Sequence, residues 1–378
     1  MSNKAHIECF ISVGEFSGDL LAAQLVKDLQ SHIPHIRFSG IVGKELLKVG
    51  VNQLISMDVL NVMGLFDVLR KVAEIKMIEK RILTHIDRSQ PQLAILVDYP
   101  GFHFRLAEQL KMRGIKVVQY IAPKLWAWGA SRVFRLRKDF DLVMGIFPFE
   151  SEFFRSRGVN FEFVGCPHIK RLSNVQSDHR GLNLNENQPI VSMLPGSRES
   201  EVKRILPIML MIKKILAKDR PQIQFCVPIA GNLNYQAILA SIPVDEREGV
   251  FFIRERSLEI MKTSDLALVA SGTATLECAL LETPMVVLYK MDSISYFLAK
   301  RKVTTKWVSL VNIIMNREVV PEYLQNFDID HVANVLRELL DKNSKRHMAM
   351  KKDFKMLKDE LSDPNVMTSP STCIKRIL

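Results

Sequence analysis

The chain has 378 residues, 47% hydrophobic and 25% charged, with 52 Lys and Arg against 41 Asp and Glu, a formal charge of +11. That composition excludes whole-chain disorder, collagen and disulfide scaffolds, and the length predicts two domains or one large one. The cationic surplus predicts an anionic partner: nucleic acid, acidic lipid or a phosphorylated substrate.

Short apolar runs alternate with segments of helical period. Strands are predicted at 7–13, 37–41, 93–97, 116–121 and 142–146, with helices at 19–30, 66–88, 104–112 and 130–138. The polar stretch 170–188, rich in Asn and Ser, predicts an inter-domain linker. A second series follows, with strands at 190–194, 224–228, 250–253, 266–269 and 285–288 and helices at 199–217, 257–263, 273–281 and 295–301. After 329 the chain reads as helical. This alternation predicts an α/β fold of two Rossmann-like, doubly wound domains, 1–169 and 186–328, followed by C-terminal helices at 329–378. The two domains are expected to face each other across a cleft, with ligands at the carboxyl ends of the strands.

The five cysteines are widely spaced, with no Cys-x-x-Cys, which excludes a zinc ribbon and predicts reduced thiols in a cytosolic protein. The run 7–13 is too short for a signal-peptide core, and no window of about 18 apolar residues predicts a membrane span. The nine histidines lack metal-ligand spacing, so no metal is expected.

Four motifs sit at predicted strand ends. Gly14-Glu15-Phe16-Ser17-Gly18-Asp19 joins a strand to a helix and is either an anion-binding turn, with the carboxylates of Glu15 and Asp19 and the hydroxyl of Ser17 as polar candidates, or a turn capped by Ser17 or Asp19. Asp98 ends the 93–97 strand and is either a proton acceptor at the crevice mouth or a cap. Leu194-Pro195-Gly196-Ser197-Arg198 has the makings of a diphosphate cradle, with Ser197 and the fork of Arg198 as ligands, unless Arg198 pairs with Glu199 or Glu201. In the block 270–277, the turn Ser271-Gly272-Thr273-Ala274 offers amides to phosphate, and Glu277 offers an acceptor to two ribose hydroxyls.

Asp328-Ile329-Asp330 imitates an Asp-x-Asp metal motif but reads as a helix cap. The segment 59–83 combines apolar residues with Arg70, Lys71, Lys76, Lys80 and Arg81, which suits either an anionic membrane surface or a packed helix. The basic zone 105–138 near Trp126 and Trp128 suits either single-stranded nucleic acid or solvated helix faces.

These blocks resemble the lipid-A-disaccharide synthase family, together with Val62-Met63-Gly64, Pro123-Lys124-Leu125-Trp126-Ala127-Trp128, Tyr289-Lys290-Met291 and Lys306-Trp307-Val308-Ser309-Leu310-Val311-Asn312. The resemblance spans nearly the full length and implies the B-type glycosyltransferase fold. It also implies inverting transfer from UDP-2,3-diacylglucosamine to 2,3-diacylglucosamine 1-phosphate, giving a β-1,6 disaccharide and UDP without a cofactor. By position it implies Asp98 as general base with Glu15 nearby, and Ser197, Arg198, Ser271 to Ala274, Glu277 and Asn312 as the holders of UDP. It further implies peripheral association with the cytoplasmic face of the inner membrane and a homodimer exchanging C-terminal helices, with no nucleic-acid partner. Other B-type UDP-sugar enzymes, a lipid-linked N-acetylglucosaminyltransferase or an epimerase, are alternatives that the Trp126–Trp128 block argues against, and a non-catalytic nucleic-acid-binding protein is a third, which would explain the charge but not Glu277 beside a glycine turn. The chain departs from the family pattern at Gly101 and His103, where Asp and Asn are frequent. It departs again at Gly165-Cys166-Pro167-His168, where Gly-His-Pro is usual.

Overall fold

The computed structural model describes residues 6–61, 68–292, 296 and 305–378, with backbone alone at 61 and 68–73. Val62-Met63-Gly64, the expected helix at 295–301 apart from residue 296, and the side chains of 61–73 within the segment 59–83 lie outside the described residues. The chain divides into two compact units, Met1–Pro167 with Ser362–Leu378, and His168–Leu361.

The first unit holds seven parallel strands: β1 (Ile7–Val13), β2 (Ile36–Val42), β3 (Asn52–Ser56), β4 (Leu93–Val97), β5 (Lys116–Tyr120), β6 (Leu142–Gly145) and β7 (Phe161–Phe163). Their order is β3-β2-β1-β4-β5-β6-β7. Every residue of β4 and the last five of β1 are buried, which is why both read as continuous apolar runs rather than as alternating ones. The strand order reverses between β1 and β4, so the carboxyl ends of these two strands splay apart and leave a crevice. Gly14 and Glu15 follow β1, and Asp98 and Tyr99 follow β4. The topology therefore joins two motifs that are more than 80 residues apart in sequence.

The second unit repeats the plan with β8 (Ile190–Leu194), β9 (Gln224–Ile229), β10 (Val250–Arg254), β11 (Leu266–Ala270), β12 (Met285–Tyr289) and β13 (Glu322–Leu324), ordered β10-β9-β8-β11-β12-β13. Here the reversal lies between β8 and β11, the strands that lead into the 195–198 and 271–274 turns.

The segment expected as a linker is more than a tether. It begins in a short helix, Pro167–Leu172, and Leu182 and Leu184 are buried against Ile190, Cys226 and Ile260. The helix Ile329–Leu340 packs on Glu199–Asp219, and Lys345–Ser362 follows. Asp328 caps the former by accepting from the amides of Asp330 and His331, which disposes of the Asp-x-Asp imitation. The tail then returns to the first unit. The Thr368 amide donates to the Phe163 carbonyl at 2.9 Å, and Pro370–Lys375 packs on the helix Phe16–His32 with Cys373 and Ile374 buried. None of the five cysteines forms a disulfide, and all are buried.

Candidate functional site

In the first unit the crevice after β1 and β4 holds a pocket of about 360 Å³ lined by Glu15, Asp98, Tyr99, Gly101, Phe102 and Arg105, with Ile75 and Pro100 completing the wall. Asp98 and Tyr99 both have left-handed backbones, with φ of 48° and 49°. For non-glycine residues that conformation is costly and persists only where neighbours impose it. The neighbours are identifiable. The Asp98 amide donates to the Tyr120 carbonyl, and the Asp98 carbonyl accepts from His103 Nδ1 at 2.7 Å and Gln119 Nε2 at 3.2 Å.

His103 is fully buried, and burial pushes its pKa down to about 4, so the ring is neutral. A carbonyl only accepts, so Nδ1 carries the proton and Nε2 accepts from the Ser12 hydroxyl at 2.9 Å. His103 thus fixes the backbone beneath Asp98 and is not itself a base. No sequence signal marked Ser12 or Gln119, whose side chains act across the sheet.

Burial, followed by the neighbouring charge of Glu15, raises the Asp98 pKa above the usual carboxylate range, against a smaller opposing pull from Lys124. A carboxylate of raised pKa is a stronger base than free aspartate. Glu15 occupies the N-cap position of Phe16–His32, and Ser17 is exposed in that helix's first turn. Asp19 belongs to another task. Its Oδ1 accepts from the amides of Gly43 and Leu46 and its Oδ2 from Glu45, so it caps the helix Lys44–Lys48 instead of its own.

In the second unit the turn after β8 is made by Gly196, whose φ of 112° suits glycine. Arg198 is the N-cap of Glu199–Asp219 and is largely exposed, with Nη1 at 3.4 Å from Glu201 Oε1. Glu201 Oε2 accepts from the amides of Ser197 and Arg198 at 3.2 and 3.4 Å. The amides expected to cradle a phosphate therefore already hold a carboxylate, one of the two partners the sequence offered to Arg198.

After β11, Gly272 is the N-cap and Thr273–Leu280 the helix, with Gly272 and Thr273 exposed and Ser271 and Ala274 partly so. The Ser271 hydroxyl donates to the Val308 carbonyl at 2.8 Å, and the Leu310 amide to Thr275 Oγ1 at 3.3 Å. The 270–277 and 306–312 blocks thus form one surface. Asn312 contributes from behind it. Its Oδ1 accepts from the amides of Val319 and Val320, and its Nδ2 donates to the Val320 carbonyl and Glu322 Oε1. An amide has two donors and two acceptor sites, and all of those of the Asn312 side chain are engaged here in shaping the loop. Glu322 completes the brace by accepting from the amides of Val308 and Ser309.

Glu277 is nearly buried, and its Oε1 accepts from Arg171 Nη1 at 2.9 Å. His168 Nδ1 lies 3.9 Å from the same oxygen, and burial, then the Arg171 charge, pushes its pKa down to about 4. Arg171 and His168 went unmarked because their contact with Glu277 spans more than 100 residues. The histidine of the divergent Gly165-Cys166-Pro167-His168 stretch is therefore placed beside Glu277, two positions after Cys166.

The basic zone 105–138 is largely ion-paired: Arg105 with Glu79, Lys111 with Asp141, Arg113 with Asp87, and Arg135 and Lys138 with Glu108. Trp126 donates its indole N–H to Glu150 Oε1 at 3.1 Å and meets Phe149 edge-on. Arg132 covers Trp128 at 4.5 Å. These contacts engage most of the zone's cations and both tryptophans. Among the described residues no group of three His, Cys, Asp or Glu converges as a metal site.

A family model described as lipid-A-disaccharide synthetase matches residues 9–369. Lipid-A-disaccharide synthase 1 of Legionella pneumophila is 39% identical over 319 residues, covering 83% of each chain. The corresponding synthase of Nitrosococcus oceani is 35% identical over 365 residues, covering 96% of this chain and 94% of its own. Among solved structures, the kitacinnamycin glycotransferase superposes with a TM-score of 0.67 at 11% identity, covering 99% of this chain and 100% of its own. A UDP-GlcNAc 2-epimerase of Neisseria meningitidis gives 0.63 at 12% identity, covering 93% and 98%. These two bear on the fold alone.

Proposed function

The chain belongs to the lipid-A-disaccharide synthase family and is a glycosyltransferase of lipid A disaccharide synthesis, and on that premise we propose the residues and substrates of its reaction. The donor is UDP-2,3-diacylglucosamine and the acceptor 2,3-diacylglucosamine 1-phosphate. The observation that carries the reading is Asp98, a carboxylate of raised pKa held at the wall of the first unit's pocket by a backbone that His103 and Gln119 pin in place.

The acceptor's 6-hydroxyl attacks the donor's anomeric carbon as the bond to UDP breaks, and Asp98 takes the hydroxyl proton. The anomeric configuration inverts, and the products are the β-1,6 disaccharide 1-phosphate and UDP. Proton transfer comes late, since even a raised carboxylate is far weaker than an alkoxide. Departing UDP is met in the second unit by the turn Ser271 to Ala274 at a helix N-terminus, by Ser197 and Arg198 once Glu201 swings aside, and by Glu277 at the ribose. No metal is needed in this scheme, and turnover should persist in EDTA.

No helix among the described residues is long and apolar enough to cross a membrane. The reading includes peripheral contact through 59–83, where Met77 is exposed between Lys76, Lys80 and Arg81. It also includes a homodimer exchanging C-terminal helices. The deciding experiment is incubation with both diacylated substrates, followed by detection of UDP and disaccharide phosphate in equal amounts. Absence of both products would overturn it.

A further inference from the structure

The first-unit pocket poses an electrostatic problem. Two of its wall residues, Glu15 and Asp98, are carboxylates close enough for the Glu15 charge to raise the Asp98 pKa. An acceptor bearing a phosphate monoester would bring a further charge of about −1.5 to −2 into the same space. Repulsion at that range is costly unless the phosphate meets a cation.

Arg105 is the one cation among the described residues that line the pocket. It stands on the helix Pro100–Met112, five residues beyond Pro100, which is about 7.5 Å along the axis at 1.5 Å per residue. Asp98 and Arg105 line the same pocket, so a sugar seated in it with its 6-hydroxyl at Asp98 can turn its opposite end to the guanidinium. Glu79 on the helix Val68–Ser89 accepts from Arg105 Nη2 at 2.8 Å. A guanidinium has five N–H donors and grips phosphate with two at once.

We infer that Arg105 is the residue that recognises the 1-phosphate of the acceptor and so sets the enzyme's preference for a phosphorylated sugar. This rests on the proposed reaction and adds to it the means of telling a phosphorylated acceptor from a bare one. Position 101, also on the wall, is a glycine with open space where a Cβ would be, so it adds no side chain to crowd the sugar.

The test uses the full chain with two acceptors, 2,3-diacylglucosamine 1-phosphate and its dephosphorylated form. In the wild type the phosphorylated acceptor is expected to have the higher kcat/KM. Arg105→Gln should lose about tenfold or more on that acceptor, mostly through KM. On the bare acceptor it should change less than about twofold, and Arg105→Lys should recover part of the loss. Glu79→Gln breaks the same ion pair with the Arg105 charge intact and should keep the phosphate preference, which separates recognition from packing. Equal losses on both acceptors with Arg105→Gln, no loss on either, or the same defect with Glu79→Gln would overturn the inference. Wild-type enzyme that turns over neither acceptor would overturn the reaction itself and this inference with it. Wild-type turnover without phosphate preference would overturn the inference alone.

Discussion

The ring of Tyr99 fills the place a side chain at position 14 would need: a Cβ on Gly14 would lie 2.3 Å from the ring's Cγ. The two strand ends are thus packed glycine against aromatic, and Tyr99 adjoins Asp98 on a left-handed backbone that the two residues share. Gly14→Ala should cost about 1–3 kcal/mol of stability by overpacking and lower turnover as well. A variant with unchanged melting and turnover would show that the ring turns aside freely.

Replacing Asp98 by Asn keeps the shape and removes the proton acceptor. Turnover should fall by about 10²–10⁴, while UDP affinity, assigned to residues of the second unit, should hold. Retention of more than about half the wild-type rate, with chemistry rate-limiting, would reduce Asp98 to a structural role. Collapse of UDP affinity alongside the rate would overturn the assignment of donor and base to different units.

Asp98 works only when ionised, so activity should rise with pH through its pKa and level off above it. Because burial and Glu15 both raise that pKa, the acid limb of kcat/KM should lie above the usual carboxylate range. Glu15→Gln removes one of the two causes and should move the limb to lower pH. A limb that stays in place would exclude Glu15 as a contributor.

Arg198→Ala and Glu201→Gln should act in opposite directions on UDP. The first removes a charged donor and should weaken binding by about tenfold or more. The second removes the carboxylate that occupies the Ser197 and Arg198 amides, so binding should tighten even though the helix loses part of its cap. Equal weakening in both variants would mean that Glu201 serves the loop only as a cap. Isothermal titration with UDP reads both.

Glu150 accepts from Trp126 Nε1 and the Phe147 amide, and burial pushes its pKa from 4.5 up to about 7. Between those values the folded chain keeps a proton that the unfolded chain has released, so this residue makes stability fall as pH rises through the window. Trp126 and Phe147 donate to different oxygens of Glu150, so Glu150→Gln sets an NH2 against one of the two donors and should lose that hydrogen bond at every pH. It should also escape the pH-dependent decline. Melting compared at pH 4.5 and pH 7.5 should show the variant gaining on the wild type at the higher value, and a constant gap would refute the assignment.

The central strands were legible because they are buried on both faces: predicted and observed bounds coincide for 7–13, 93–97 and 190–194. The edge strands β3, β7 and β13 escaped because three to five residues, partly exposed, leave too little pattern. The helix Pro167–Leu172 was missed for a similar reason, and the burial of Leu182 and Leu184 depends in part on Cys226 and Ile260, about 40 to 80 residues away. The position of Glu15, Asp98 and Arg198 just beyond strand ends, and of Glu277 one turn into a helix, was readable in the sequence. What each touches was not readable. Asp19 caps a remote helix, Asn312 turns inward, and Arg171 reaches Glu277, all through contacts made only when the sheets close.

The tail that returns to the first unit also bears on the order of synthesis. Residues 362–378 follow the whole second unit in sequence, yet Cys373 and Ile374 lie buried in the packing of Pro370–Lys375 on the helix Phe16–His32, which precedes that unit. The first unit is therefore completed only after all of the second has been made. A premature stop near residue 361 would spare the sheet of β8 to β13 and deprive the helix Phe16–His32 of its contacts with Cys373 and Ile374.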